Sequence, residues 1–316
     1  MADRTVPERT GHLKVPGATL YYEVRGEGPL LLMIPGGSAD AGLYDRMAAR
    51  LAGTWTVAAY DPRGYSRSLL DGAPEDQRVE VHSEDAHRLI ELLSPDGAPA
   101  AVFGSSSSAI VALDLLSRHP ERLHRVVAHE PPSVELLPDP ERGHKIFAAV
   151  RDSFRSGGVA AALATMTEGL TDPEAPPPAG REHRAAPEPS AREAEASRRM
   201  GANLPVFLEH VLCSFSGYVP DLAALGRGAE KLVIGVGEDS RTLLTAIGGV
   251  RLADRAIGRL VEFPGGHTGC AEDPEAFAAR LREVLLDPAP GGVQAAGPAT
   301  PATARTGRRP AKTVSR

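Results

Sequence analysis

Continuous apolar runs recur along the chain at residues 29–34 (PLLLMI), 57–60 (VAAY), 126–128 (VVA) and 232–236 (LVIGV). Strands without polar alternation are buried on both faces, which is the pattern of a largely parallel sheet. Between these runs lie helical patterns. Ala86, Leu89, Ile90 and Leu93 stand at i, i+3, i+4 and i+7, one buried face, with Ser83 as the expected N-cap. Near the N-terminus, HLKVPG and TLYYEV flank Gly17, with Gly26 and Gly28 following, and predict an opening hairpin. Strands alternating with helices predict a layered α/β fold with a mostly parallel central sheet.

Two stretches interrupt this alternation. Residues 171–199 (TDPEAPPPAGREHRAAPEPSAREAEASRR) are proline-rich and charged, and they sit inside a longer span, 137–226, that reads as an inserted, partly mobile cap. Residues 288–316 carry Pro, Gly, Ala, Thr and Arg with almost no large apolar side chain, too little to offset the entropy of ordering them. The expected organisation is a core formed by 1–136 and 227–287, a helical cap over 137–226, and a disordered basic tail.

Composition narrows the function classes. A chain of 316 residues with 42% hydrophobic content can bury a substantial core. Its net charge of −6 supplies no global basic field for nucleic acid or an anionic membrane. No apolar run reaches the roughly 18 residues of a spanning helix, and the N-terminus has no apolar signal core. The expectation is a cytoplasmic protein acting on a small molecule, without nucleic-acid or membrane partners; the oligomeric state is not readable. Cys213 and Cys270 lack metal-type spacing and carry no assigned chemistry. Of 35 basic residues only four are lysine, a bias that accounts for many arginines without function.

Candidate chemistry begins at residues 102–110, VFGSSSSAI. Serine runs are usually turns or linkers, which have polar flanks. Here the flanks are apolar on both sides, so the segment reads as strand, tight turn, helix. A serine on such a turn has the geometry of a nucleophile elbow, with small residues two before and two after it. Gly104 and Ser108 fill those places if Ser106 attacks; Ser105 and Ser107 are the less expected registers. A serine hydroxyl needs a base oriented by a carboxylate. His267, in the loop FPGGHTG, is the histidine least explained as core filler or surface.

These features together resemble the α/β-hydrolase superfamily over residues 13–286. The elbow and His267 are joined by Ile34-Pro35-Gly36-Gly37-Ser38 after the third strand, by Tyr60-Asp61-Pro62-Arg63-Gly64-Tyr65-Ser66-Arg67-Ser68, similar to a DxRGxGxS segment with Ser66 for its second glycine, and by SRHPERL at 117–123. The likeness is greatest to actinobacterial hydrolases whose elbow reads GSSGG. It implies oxyanion donors at the N–H groups of Gly37 and Ser107, since Pro35 has none. It implies a triad acid after the strand 232–236, where Asp239 ranks first, with Glu238 and Ser240 as other registers, or else after the preceding strand at Glu130. A serine at the elbow argues against dehalogenases and epoxide hydrolases, which would require an aspartate there. The implied activity is serine-esterase hydrolysis of an ester, thioester or lactone of a small apolar metabolite, with no metal or organic cofactor. A scaffold of this kind reused for ligand binding or for cyclising a reactive metabolite is the alternative. Substrate choice is expected in the insertion, where Phe147, Phe154, Phe207, Phe215 and Tyr218 line either a pocket or the insertion's own core.

Overall fold

The computed structural model describes residues 8–170, 189–255 and 258–287. The expected tail and the proline-rich part of the insertion therefore lie outside the described residues. The apolar runs form β1 (Arg9–Val15), β2 (Ala18–Arg25), β3 (Leu30–Ile34), β4 (Thr56–Tyr60), β5 (Leu69–Leu70), β6 (Ala100–Ser105), β7 (Leu123–His129), β8 (Leu232–Gly237) and β9 (Arg259–Phe263). They build one sheet in the order β1-β2-β4-β3-β6-β7-β8-β9, with β5 on β2. β1 and β2 make the expected antiparallel hairpin, and the strands from β4 to β9 along the sheet are parallel.

Strand alternation sorts the core into two layers. Leu32, Ile34, Val102, Val126, Ala128 and Ile234 join one apolar cluster, while Leu31, Met33, Phe103, Val127 and Val233 join the other. The second layer is closed by α1 (Asp45–Leu51) and later by α10 (Pro274–Leu286). The first is closed by α2 (Val79–Leu93), α3 (Ser107–Arg118) and α8 (Leu244–Asp254). α2 begins four residues before the expected Ser83 cap, because Val79 is buried against the core and draws an extra turn into the helix; Ser83 sits buried inside it.

Between β7 and β8 run α4 (Pro140–Leu170), broken at Gly158 where φ is 75, then α5 (Ala191–Val206), α6 (Leu212–Ser216) and α7 (Leu222–Arg227). Phe147, Phe207 and Phe215 are buried in the same cluster as α2 and α3, so these helices share the core rather than owning a separate one. α5 departs from the expected mobile segment: Ser190 and Glu193 form a reciprocal capping box, and ion pairs hold the helix down. Arg192 reaches Asp45 and Glu23 at 2.6 Å each, and Arg199 reaches Asp40 at 2.6 Å. The charge that suggested mobility is here the docking chemistry.

Candidate active site

β6 ends at Ser105 and α3 begins at Ser107, which leaves Ser106 alone to turn the chain. Its backbone takes φ 59 and ψ −128, a conformation that costs a non-glycine residue about 1–3 kcal/mol and concentrates at functional sites. The turn needs small neighbours. A Cβ on Gly104 would lie 2.4 Å from the Ser108 carbonyl oxygen, and one on Gly36 would lie 2.0 Å from that of Ser105. Ser108 stands where the family's elbow commonly has glycine, yet its φ is not positive, so a side chain meets no backbone strain. Its hydroxyl accepts the Ser105 N–H at 2.9 Å and donates to the Ile34 carbonyl at 2.6 Å, joining the ends of β3 and β6.

His267 lies in the loop after β9. That loop is held by the exit of β8, since the N–H groups of Glu238 and Asp239 donate to the carbonyls of Phe263 and Gly265 at 3.0 Å. The two side chains of this exit are exposed. The carboxylate on His267 is Glu130: Nδ1 donates to its Oε2 at 2.6 Å. The structure thus brings to His267 the alternative read after the preceding strand, Glu130, whereas Asp239, ranked first in the sequence, and Glu238 are exposed at the end of β8, their backbone turned toward the histidine loop.

Glu130 is fully buried and, like Ser106, has a positive φ, 48. Gly237 N–H donates to Oε1 at 2.8 Å, the Ser240 hydroxyl donates to the same oxygen, and Thr245 donates to Oε2 at 3.0 Å. Burial alone would push this carboxyl up. The hydrogen bond and charge of His267, helped by His129 and Ser240, instead hold it at about 2. Thr245 Oγ1 also lies 3.1 Å from His267 Nδ1. Sequence reasoning had no signal for Thr245, which reaches the site from α8.

Beneath the elbow, Ser106 N–H donates to the His129 carbonyl at 2.9 Å, and the buried His129 ring meets Ser105 Oγ through Nδ1 at 3.1 Å. Burial lowers the His129 imidazole to about 4, so it is neutral at pH 7. On the other side of Ser106, Gly37 turns with φ 60, and its N–H donates to the Ser107 hydroxyl at 2.8 Å. A narrow cleft beside Gly37 and Ser107 is lined by Pro35, Tyr65, His82, Val111, Val211 and Phe215. Phe215 therefore serves both as core and as cleft wall.

A family profile described as alpha/beta hydrolase fold matches residues 29–167. The chain is 34% identical over 281 residues to the uncharacterized hydrolase YraK of Bacillus subtilis (strain 168), covering 87% of this chain and 95% of the relative. The chain belongs to the α/β hydrolases. A second relative, a zearalenone hydrolase of Bionectria ochroleuca, is 32% identical over 152 residues, covering 45% of this chain and 57% of the relative. Among solved structures, a thermophilic esterase from Thermogutta terrifontis shares the fold, with a TM-score of 0.68, 19% identity, and coverage of 88% of this chain and 98% of that one.

For this α/β hydrolase the DPRGYSRS segment is architecture. Arg63 pairs with Asp85 in two 2.7 Å hydrogen bonds, and Asp61 accepts the Ala41 N–H at 3.0 Å and the Arg67 guanidinium at 2.7 and 2.8 Å. Ser66, in the glycine position, does carry a positive φ, 49. Its N–H donates to Asn203 Oδ1 at 2.9 Å, and Asn203 Nδ2 donates to Ser66 Oγ and to the Ser38 carbonyl, each at 2.9 Å. One side chain on α5 thus holds both the strained Ser66 and the loop beside Gly37. Among the described residues no group of three or more His, Cys, Asp or Glu is arranged to hold a metal, and no helix is long and apolar enough to cross a membrane.

Proposed function

We propose that this α/β hydrolase is a serine hydrolase that cleaves an ester, thioester or lactone of a small apolar metabolite through an acyl-enzyme. One observation carries the reading. Ser106 occupies a strained single-residue turn between strand and helix, on the same edge of the sheet as a histidine bound to a buried, ionised carboxylate. Ser106 Oγ attacks the acyl carbon, and His267 Nε2 takes its proton. The leaving oxygen or sulfur then receives that proton, and water repeats the sequence on the acyl-enzyme. Glu130 keeps the proton on Nδ1, which leaves Nε2 free to act as base, and stabilises the imidazolium that forms. The N–H of Ser107, the first residue of α3, is a donor for the developing oxyanion.

The partial likeness to a hydrolase named for zearalenone supports the hydrolytic reading over reuse of the scaffold for binding or cyclisation. Intact-mass spectrometry after exposure to a fluorophosphonate tests it. A single adduct on the wild-type protein, absent from Ser106→Ala and slowed in His267→Ala, is the expected result. A folded protein that takes up no adduct would overturn it and leave the pocket as a binding or cyclising one.

A further inference from the structure

The Ser107 hydroxyl lies in front of the amide that the family's geometry aims at the oxyanion. Gly37 N–H is the donor expected from the loop after β3, because Pro35 supplies none, and here that N–H points at Ser107 Oγ, 2.8 Å away. Ser107 is nearly buried and lines the cleft beside Gly37. A carbonyl oxygen brought to this place meets the hydroxyl before it meets the Gly37 amide. Two outcomes are open to such a hydroxyl: it blocks the hole, or it becomes part of it.

Chemistry favours the second. A serine hydroxyl that accepts one hydrogen bond still has its own proton to give. Among the described residues, Ser107 Oγ donates that proton to none. Accepting the Gly37 N–H polarises the O–H, so the bond it then makes to an anion is strengthened. O–H donors to an oxyanion are also short and charge-assisted. Ser107 stands next to Ser106, at the first position of α3, so its backbone N–H and its hydroxyl start from the same residue and rise and fall with the position of the elbow itself.

We propose that the Ser107 hydroxyl is a catalytic oxyanion donor, polarised by Gly37 N–H, so that the hole is built from the N–H and O–H of one residue with the loop amide behind them. This rests on the serine-hydrolase reading. In the acylation step Ser106 Oγ bonds to the acyl carbon, the carbonyl π pair moves onto its oxygen, and the Ser106 proton goes to His267. Ser107 keeps its own proton throughout and only lends it to the oxyanion until the carbonyl re-forms.

The test uses the full chain, a chromogenic p-nitrophenyl ester and active-site titration with a fluorophosphonate. Ser107→Ala retains the backbone N–H and loses only the hydroxyl. It is expected to lower kcat about 10- to 100-fold with KM changed by less than about threefold, at or below the roughly 100- to 1,000-fold that loss of one oxyanion donor costs, since Gly37 N–H is then uncovered. Ser107→Thr, which keeps a hydroxyl, is expected to recover most of the loss, and thermal melting shows which variants are folded. An unchanged or raised kcat in folded Ser107→Ala would overturn the proposal, since that is what removal of a plug produces. A wild-type protein that is not titrated by the fluorophosphonate would instead sink the hydrolase reading on which it rests.

Discussion

Glu130 Oε2 lies 2.6 Å from His267 Nδ1, although the two residues are 137 positions apart and leave the sheet from different strands. The contact exists because β7 and β8 are neighbours and β9 follows, so the exit of β7 and the loop after β9 face each other across the end of β8. Gly237 at that end is short of room, with the Ser240 hydroxyl and the Gly265 carbonyl each 2.7 Å from where its Cβ would be.

Glu130→Gln should therefore be the damaging carboxylate change. An amide there favours the wrong imidazole tautomer, and a loss in kcat of about 10³- to 10⁴-fold is expected from comparable triads. Asp239→Asn, on an exposed side chain, should change kcat by less than about threefold. Steady-state hydrolysis of a p-nitrophenyl ester by both variants decides it; a larger effect at Asp239 would reverse the assignment of the acid.

Acid should unfold the protein early. Burial lowers His82 to about 3 and His129 to about 4, whereas both titrate near 6.5 in the unfolded chain. Below pH 6.5 the unfolded chain therefore binds protons that the native one refuses, so this stability is present above pH 6.5 and is lost as pH falls toward 4 and then 3. Glu130, held at about 2, adds in the same direction between about 4.5 and 2. Thermal melts should show Tm level above pH 7 and falling steadily below 6.5, with a shallower fall in His129→Leu. A flat Tm from pH 6.5 to 4 would contradict the burial of both rings.

Much of this arrangement was legible in the sequence because it rests on backbone. The hairpin around Gly17, the apolar strands and the turn at Ser106 follow from period, glycine placement and side-chain size, all local properties. The choice between Glu130 and Asp239 is not local. Both leave adjacent parallel strands just after the apolar run, and only the turn of each backbone decides which carboxylate points inward. Glu130 is turned in by its positive φ, which no residue type announces. The same holds for α5, which begins inside the charged stretch that reads as partly mobile: Arg192 and Arg199 find Glu23, Asp45 and Asp40 opposite them only in the fold.

Asn203 should couple the insertion to the site. Removing its amide in Asn203→Ala leaves the Ser66 N–H and the Ser38 carbonyl without their partner, an expected loss of about 1–3 kcal/mol. Because Ser38 follows Gly37, the rate of fluorophosphonate labelling at Ser106 should fall as well. Denaturant unfolding and labelling kinetics on the one variant check both; stability lost with labelling unchanged would confine Asn203 to a structural role.

Restoring the family's glycine at the elbow should weaken this protein rather than improve it. Ser108 has no positive φ that glycine would relieve, and its hydroxyl is the group that joins the Ile34 carbonyl to the Ser105 N–H. Ser108→Gly leaves the buried Ser105 N–H unpaired, takes from the Ile34 carbonyl one of its two hydroxyl donors while the Tyr44 hydroxyl stays at 3.1 Å, and adds backbone entropy to the first turn of α3, so a loss of about 1–3 kcal/mol is expected. Ser108→Ala removes the hydroxyl but not the Cβ, and should show most of the same loss. Equilibrium unfolding of the two variants separates the contributions. A Ser108→Gly protein as stable as wild type would mean that the hydroxyl bridge contributes little and that serine is merely tolerated at this position.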